Sequence, residues 1–263
     1  MADNPYTPPN AAQSVHPTSS RLVDRYRWIT YLLPMIVYML AGSLEPTRSA
    51  HGGIFGLEIP YSAYPAAYAA KIALTILAMV VVWAGYRRYP FRVSPLAILV
   101  GAVGVVLWIG ICRLNLEHRF LAPNGLGWLV GTGERSAFNP LREMADQPGW
   151  AYAFLAVRLF GLAIVVPVIE EFFLRGFVIR FAVDGEAWWK VPFGTVTPVA
   201  IVIATVLPMM MHPGELFAAA VWFSLVTWLM VRTRNIWDCV VAHAVTNLLL
   251  GIYVITTGEW HLM

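Results

Sequence analysis

Ionisable side chains inside long apolar stretches are the residues of this chain most able to carry chemistry. Glu170, Glu171 and Arg175 follow the apolar run 161–169 and precede another, 176–183. Each charge facing lipid at the centre of a membrane helix costs about 2.5–3.5 kcal/mol. We therefore expect all three side chains to face the interior of the protein, with their charges compensated there.

Helix geometry separates the roles of the two acids. Glu171 and Arg175 stand four residues apart, with the acid nearer the amino end, which predicts an ion pair on one helix face. Glu170 is rotated by about 100° from Glu171, and Phe173 and Leu174 occupy the positions three and four residues after it. A carboxylate that lines an internal cavity is suited to accept a proton from water. The alternative is that both acids only join helices through hydrogen bonds.

Pro167 lies three residues before Glu170 and has no amide hydrogen. In an α-helix it should leave the carbonyl of Ala163 without its main-chain donor and loosen the helix just before the acids. Two interpretations stay open. The loosened turn either opens a water pocket or is an ordinary kink whose carbonyl is bonded by a neighbouring helix.

Histidine and asparagine side chains form two further candidate positions. His243 and Asn247 lie four residues apart on one face of the last apolar segment, and both can direct N–H donors to one point. Such a pair suits stabilisation of an oxyanion, or alternatively a structural hydrogen bond between helices. His212 ends another apolar run, directly before Pro213 and Gly214, which also suits a plain helix-terminal residue.

The elements that position these residues are predicted to be membrane-spanning helices. The chain is 59% hydrophobic and only 13% charged, whereas soluble domains carry charge on about a quarter of their residues. The sequence thus predicts an all-α, polytopic transmembrane helical bundle of about seven spans. The predicted spans are 28–44, 66–84, 95–112, 151–182, 195–211, 216–231 and 236–256.

Basic residues cluster in connections that fall on one side if the spans alternate. They are Arg21, Arg25, Arg27, Arg87, Arg88, Arg92, Arg175, Arg180, Lys190, Arg232 and Arg234. Positive charge collects on the cytoplasmic side, so we predict an integral protein of the inner (plasma) membrane with a cytoplasmic amino terminus. The net charge of +3 is explained by this pattern. Membrane lipid is therefore an expected partner, and nucleic acid is not.

Four other residues have structural interpretations. Lys71 and Arg158 lie near predicted helix ends, where long basic side chains reach out to the membrane surface. Cys112 and Cys239 lie in or beside apolar stretches and are expected to be buried small apolar residues.

Three motifs occur in order on separate predicted helices: Glu170-Glu171-Phe-Phe-Leu-Arg175, Met-Met-Met-His212 and His243-Ala-Val-Thr-Asn247. Together they resemble the CPBP family, which groups the CAAX prenyl protease Rce1 type with bacterial Abi-type intramembrane proteases. The chain also resembles, more weakly, the subgroup associated with exosortase systems. In one respect it departs from the family, because Pro208 stands where a phenylalanine usually precedes the second motif's histidine by four residues.

The resemblance implies an intramembrane endopeptidase that cleaves a membrane-associated protein or lipidated peptide, near its carboxyl terminus or at a hydrophobic segment. It assigns Glu170 as the base that activates water, and His212 as a residue that holds this water or a metal. His243 and Asn247 would stabilise the oxyanion, with Glu171 and Arg175 organising the site. The alternative is a non-enzymatic membrane protein, either a transporter or an immunity or scaffold factor.

The resemblance also divides the chain and raises the question of a cofactor. Residues 1–27 are predicted to be a cytoplasmic tail, 28–150 to be amino-terminal transmembrane helices and an external connection, 151–256 the CPBP/Abi-like protease core, and 257–263 a short carboxyl-terminal tail.

His212, His243 and Glu170 could form a zinc site with an open position. The chain has no His-Glu-x-x-His helix, and the same residues can run a metal-free hydrolysis, so zinc stays open.

Overall fold

A computed structural model describes residues 22–47, 59–127 and 138–262, and within these ranges the chain is helical with no strand. Most of the predicted tail, residues 1–21, lies outside the described residues. The sequence prediction of an all-helical membrane bundle is confirmed. The principal helices are α1 Ile29–Gly42, α2 Tyr64–Val81, α3 Pro95–Leu114, α4 Pro148–Val183, α5 Pro198–Met211, α6 Leu216–Thr233 and α7 Ile236–Thr257.

Five of the seven helices are long and apolar enough to cross a membrane, namely α2, α3, α4, α6 and α7. The other two, α1 and α5, have 14 residues each, or roughly 21 Å at 1.5 Å per residue. A hydrocarbon core is about 30 Å thick, so these two are shorter than a full span. Helix α5 begins three residues later than predicted because Thr197 caps it, accepting a hydrogen bond from the Ala200 amide at 3.2 Å.

Short helical turns connect these helices. They are Leu22–Arg25, Tyr61–Ala63, Trp83–Tyr86, Glu117–Leu121, Ala122–Asn124, Pro140–Glu143, Trp188–Lys190, Pro213–Glu215 and Trp260–Leu262.

Helix α4 is α-helical except at two wider, π-helical turns. Two π-helical turns, Gly161–Val165 and Phe172–Val178, flank the α-helical residues Val166–Glu171. A π turn is wider than an α turn and is frequent at functional sites. The acidic doublet therefore sits on a short regular segment between two widened turns.

Two glycines let α3 approach α7 and α6 closely. A Cβ on Gly101 would lie 2.6 Å from the Ala242 carbonyl oxygen, and one on Gly104 would lie 2.7 Å from the Trp222 indole nitrogen. The Thr246 hydroxyl bonds within this contact, 2.9 Å from the Gly101 carbonyl oxygen. Small residues of this kind let membrane helices pack backbone against backbone. This contact fixes α7, the helix that carries His243 and Asn247.

The starts of α3 and α7 are joined by Asp238, in the first turn of α7. Its carboxylate accepts hydrogen bonds from the Ser94 amide at 2.7 Å and the Ser94 hydroxyl at 2.9 Å. Ser94 is the residue that precedes α3, so these bonds hold the start of α3 against the start of α7. As predicted, Cys239 is buried, while Cys112 is half-buried.

Candidate active site

A cavity of about 340 Å³ lies between the helices, and all four residues predicted to be catalytic line it. They come from two helices and one helix end: Glu170 from α4, His243 and Asn247 from α7, and His212 from the end of α5. Glu170 and His243 are buried, whereas His212 and Asn247 are half-buried. The four side chains thus share one cavity.

Glu171 and Arg175 lie behind the cavity wall and are completely buried, each with 0% exposure. Their side chains form the predicted ion pair, with Arg175 Nη1 3.1 Å from Glu171 Oε2. Arg175 also donates to the Phe223 carbonyl on α6 at 3.1 Å. The pair therefore holds α4 against α6.

His243 connects the two acids. Its Nδ1 lies 2.9 Å from Glu171 Oε1, and since a carboxylate paired with arginine can only accept, Nδ1 carries the hydrogen. Its Nε2 then faces Glu170, 3.9 Å from Oε2. This separation is too long for a direct hydrogen bond, but one water molecule could form hydrogen bonds to both atoms. Glu171 thereby orients the imidazole toward Glu170.

Asn247 is bound to the widened turn of α4. Its Nδ2 donates to the Leu162 carbonyl oxygen at 2.9 Å. In the π-helical register a carbonyl pairs with the amide five residues later, and for Leu162 that residue is Pro167, which has no amide hydrogen. In this register Pro167 offers no main-chain donor to the Leu162 carbonyl, and Asn247 supplies one from α7. The carboxamide of Asn247 has a second N–H, which can donate a hydrogen bond to a molecule in the cavity.

His212 is oriented by Pro208, the residue at which the chain departs from the family pattern. The Pro208 carbonyl oxygen lies 2.9 Å from His212 Nδ1, and since a carbonyl only accepts, Nδ1 is the protonated nitrogen. The His212 amide bonds instead to the Met209 carbonyl at 3.0 Å, which leaves the Pro208 oxygen to the ring. The imidazole packs between the rings of Trp108 and Phe223, with centroid distances of 5.7 and 5.4 Å.

Two basic residues that were predicted to reach the membrane surface instead line the cavity. They are Lys71 and Arg158, which are only 5% and 3% exposed. Lys71 Nζ lies 2.7 Å from Glu45 Oε1, and Arg158 Nη1 donates to the Phe138 carbonyl at 2.7 Å. The prediction was wrong because distance from a helix end does not reveal which face a side chain occupies. The sequence does contain one indication that Lys71 could be buried. Glu45 lies near the end of the preceding predicted helix, and its charge can compensate that of a buried lysine.

A zinc site formed by Glu170, His212 and His243 does not fit this arrangement. Across the residues that the structure describes, no three histidine, cysteine, aspartate or glutamate side chains lie close enough together to hold a metal ion. Catalytic zinc sites use three protein ligands at about 2.0–2.3 Å.

The fold and the site together define a helical membrane protein in which a buried glutamate, two histidines and an asparagine meet at one internal cavity. Residues 152–249 match the family Type II CAAX prenyl endopeptidase Rce1-like. The resemblance drawn from the three motifs is thereby confirmed over this segment. No curated protein and no solved structure matches the chain.

Proposed function

We propose that this protein is an intramembrane endopeptidase in which Glu170 activates a water molecule to hydrolyse a peptide bond of a membrane-associated protein. The observation that carries this proposal is the position of Glu170, whose carboxylate lies 3.9 Å from His243 Nε2 in a cavity that Asn247 and His212 also line. A base, an oxyanion stabiliser and room for a water molecule are the elements that hydrolysis needs.

The proposed reaction proceeds through a tetrahedral intermediate. Glu170 takes a proton from water as the oxygen attacks the substrate carbonyl carbon, and the carbonyl oxygen becomes an oxyanion. His243, whose Nδ1 is held by Glu171, and the carboxamide of Asn247 donate hydrogen bonds to that oxyanion. The C–N bond then breaks, and Glu170 returns its proton to the departing amine.

His212 is proposed to position the water. With Nδ1 bonded to the Pro208 carbonyl, the neutral ring has Nε2 as its unprotonated nitrogen, which can accept a hydrogen bond from water. The packing of the ring between Trp108 and Phe223 fixes its plane. This role needs no metal ion.

The decisive experiment is substitution of the proposed base. Glu170→Gln keeps the size of the side chain and removes its capacity to accept a proton, so cleavage should fall by about 10²–10⁴-fold or more. The variant should still insert into membranes and purify as a folded protein. Cleavage is measured on purified protein in detergent with membrane-protein substrates, by mass spectrometry of the fragments.

Glu117→Gln is the matched control for this substitution. Glu117 is also buried, at 4% exposure, but it accepts a hydrogen bond from the Phe217 amide at 3.1 Å and does not line the cavity. Glutamine retains an oxygen that can accept this bond, so activity should persist. Undiminished cleavage by Glu170→Gln would reject the mechanism, and a non-enzymatic scaffold would show no cleavage in any variant.

A further inference from the structure

The chain turns back toward the helix bundle directly after α7. Gly258 ends that helix with φ at +79°, and its amide donates to the Val254 carbonyl oxygen at 2.8 Å. Glycine adopts this left-handed conformation without steric cost, so it can end a helix with a change of direction. Trp260–Leu262 then form a single 3₁₀ turn. We call residues 259–262 the strap.

Two large apolar side chains of the strap are buried. Trp260 is 7% and Leu262 is 3% exposed, although both follow the last membrane helix. They belong to one apolar cluster with Leu155 of α4 and Val254 of α7. Removal of apolar surface from water is the force that holds such a segment in place. The strap is therefore docked against α4 and α7 by these two side chains.

Leu262 also brings the strap to the cavity. It lines the cavity together with Leu250 and Gly251 of α7. Gly251 follows Asn247 by four residues, or about one turn of the helix. The strap thus supplies part of the wall of the cavity in which hydrolysis is proposed, although it carries none of the proposed catalytic residues.

The polar contacts of the strap lie at the protein surface. Glu259 Oε1 accepts a hydrogen bond from the Tyr253 hydroxyl at 2.6 Å and lies 3.1 Å from Arg113 Nη2. The side chain of Arg113 is 61% exposed and that of Glu259 is 31% exposed. Exposed ion pairs contribute little stability, because water and salt compete for both charges. This polar anchor can therefore break while the helices stay folded.

We infer that the strap is a lid, closed in this structure, which must move away from the cavity before a substrate enters. For its effect on cleavage this assignment rests on the proposed function, of which the closed strap is an internal inhibitor. Gating segments come from parts of a protein that open locally at low free energy. An apolar substrate segment can replace the contacts that Leu262 gives up, so substrate binding favours the open state.

Cys112 reports on the strap without any assay of cleavage. It lies on α3, is half-buried, and packs against the apolar cluster that contains Trp260 and Leu262. Cys239 is completely buried and serves as an internal reference. The full chain in detergent is treated with a small maleimide for increasing times. The labelled fraction of each cysteine is then measured by mass spectrometry of its peptides.

Substitutions in the strap should raise the labelling rate of Cys112. Glu259→Ala removes the polar anchor without shortening a side chain of the apolar cluster, and should raise the rate about two- to fivefold, the effect of an exposed charge pair on a local opening equilibrium. Leu262→Ala weakens the docking itself and should raise it about tenfold or more. His261→Ala is the matched control, because His261 is exposed on the same turn, and should leave the rate unchanged.

Cleavage by the same variants tests whether opening of the strap controls access. We expect kcat/KM on a fixed membrane-protein substrate to rise in Glu259→Ala and further in Leu262→Ala, in the order of their labelling rates. Opening changes the fraction of free enzyme that can bind substrate, so kcat/KM carries the effect. His261→Ala should cleave at the parent rate.

The outcomes separate the lid from the proposed function. Unchanged Cys112 labelling in both Glu259→Ala and Leu262→Ala overturns the lid even if the parent protein cleaves. Equal rises at Cys112 and Cys239 indicate general unfolding and also contradict a local lid. Faster labelling of Cys112 alone supports the lid even if no variant cleaves, in which case the proposed function fails. Faster labelling with unchanged cleavage overturns the inhibitory role of the strap.

Discussion

Glu170 and Glu171 are adjacent, chemically identical side chains with different surroundings. Glu171 is completely buried and contacts both Arg175 and His243. Glu170 faces the cavity, 3.9 Å from the other nitrogen of the same imidazole. The rotation of about 100° per residue along a helix is sufficient to place one acid in the supporting network and the other where water can reach it.

Asn247→Ala should lower kcat by about 10²–10³-fold, the cost typical of losing an oxyanion donor. KM should change little if the carboxamide acts mainly in the transition state. Because Asn247 also holds the Leu162 carbonyl, thermal stability is recorded beside the kinetics.

Asn124→Ala provides the control for that substitution. Its side chain also donates to a main-chain carbonyl, that of Phe120, at 2.6 Å, but it is exposed in a connection. Its loss should leave kcat unchanged. A normal kcat in Asn247→Ala would mean that the residue only joins helices.

Chelation tests whether a metal takes part. Since Glu170, His212 and His243 do not form a three-ligand group in this arrangement, we expect protein stripped with a strong chelator to keep its cleavage rate. The metal content of the purified protein is measured on the same sample. Loss of activity on chelation, restored by zinc, would contradict metal-free hydrolysis.

At the scale of elements, the site depends on how α3, α4 and α7 approach one another. The two π-helical turns of α4 widen it on either side of the acids, and Asn247 on α7 bonds to the first of them. The glycines of α3 allow the contact that fixes α7. The proposed catalytic side chains are therefore positioned in part by a helix contact, that of α3 with α7 at Gly101, in which none of them takes part.

Gly101→Ala should disrupt that contact, because the new Cβ would lie 2.6 Å from the Ala242 carbonyl oxygen, a main-chain atom that cannot turn aside. We expect a loss of about 1–3 kcal/mol in the free energy of unfolding and a lower cleavage rate. Unfolding is followed by circular dichroism in detergent.

Gly110→Ala lies on the same helix and is the control. A Cβ there meets nothing within 4 Å, and alanine favours a helix over glycine by up to about 1 kcal/mol. Its stability should be equal or higher. Equal effects of the two substitutions would show that the close approach of α3 to α7 is not what positions the site.

At the scale of the whole molecule, the described residues combine five helices long enough to cross a membrane with two shorter apolar ones, and a cavity lies between them. The family match covers only residues 152–249, yet Tyr38, Lys71 and Trp108 from earlier helices also line that cavity. The three motifs thus form one side of the site, and the amino-terminal helices supply part of the remaining wall.

The orientation of the chain in the membrane remains a prediction from its basic residues. With a cytoplasmic amino terminus and seven crossings, a reporter fused after residue 263 should lie outside the cytoplasm. An alkaline phosphatase fusion should be active and a green fluorescent protein fusion dark. The reverse result would indicate the opposite orientation or an even number of crossings.

Sequence alone determined the helical class, the approximate position of each principal helix and the Glu171–Arg175 pair. It also determined that Glu170 and Glu171 lie on different faces of one helix. All of these depend on composition or on helical periodicity, which are local properties. It could not reveal that Asn247 bonds to the Leu162 carbonyl, because this contact joins two helices that are far apart along the chain.

Tertiary structure alone decided which faces of separate helices share one space. It brought Glu170, His212, His243 and Asn247 to a common cavity and placed Lys71 and Arg158 in the same wall, where the sequence predicted surface positions. Helical periodicity relates side chains within one helix. The rotation and depth of each helix relative to its neighbours depend on long-range packing, such as the approach of Gly101 to α7, which no local pattern records.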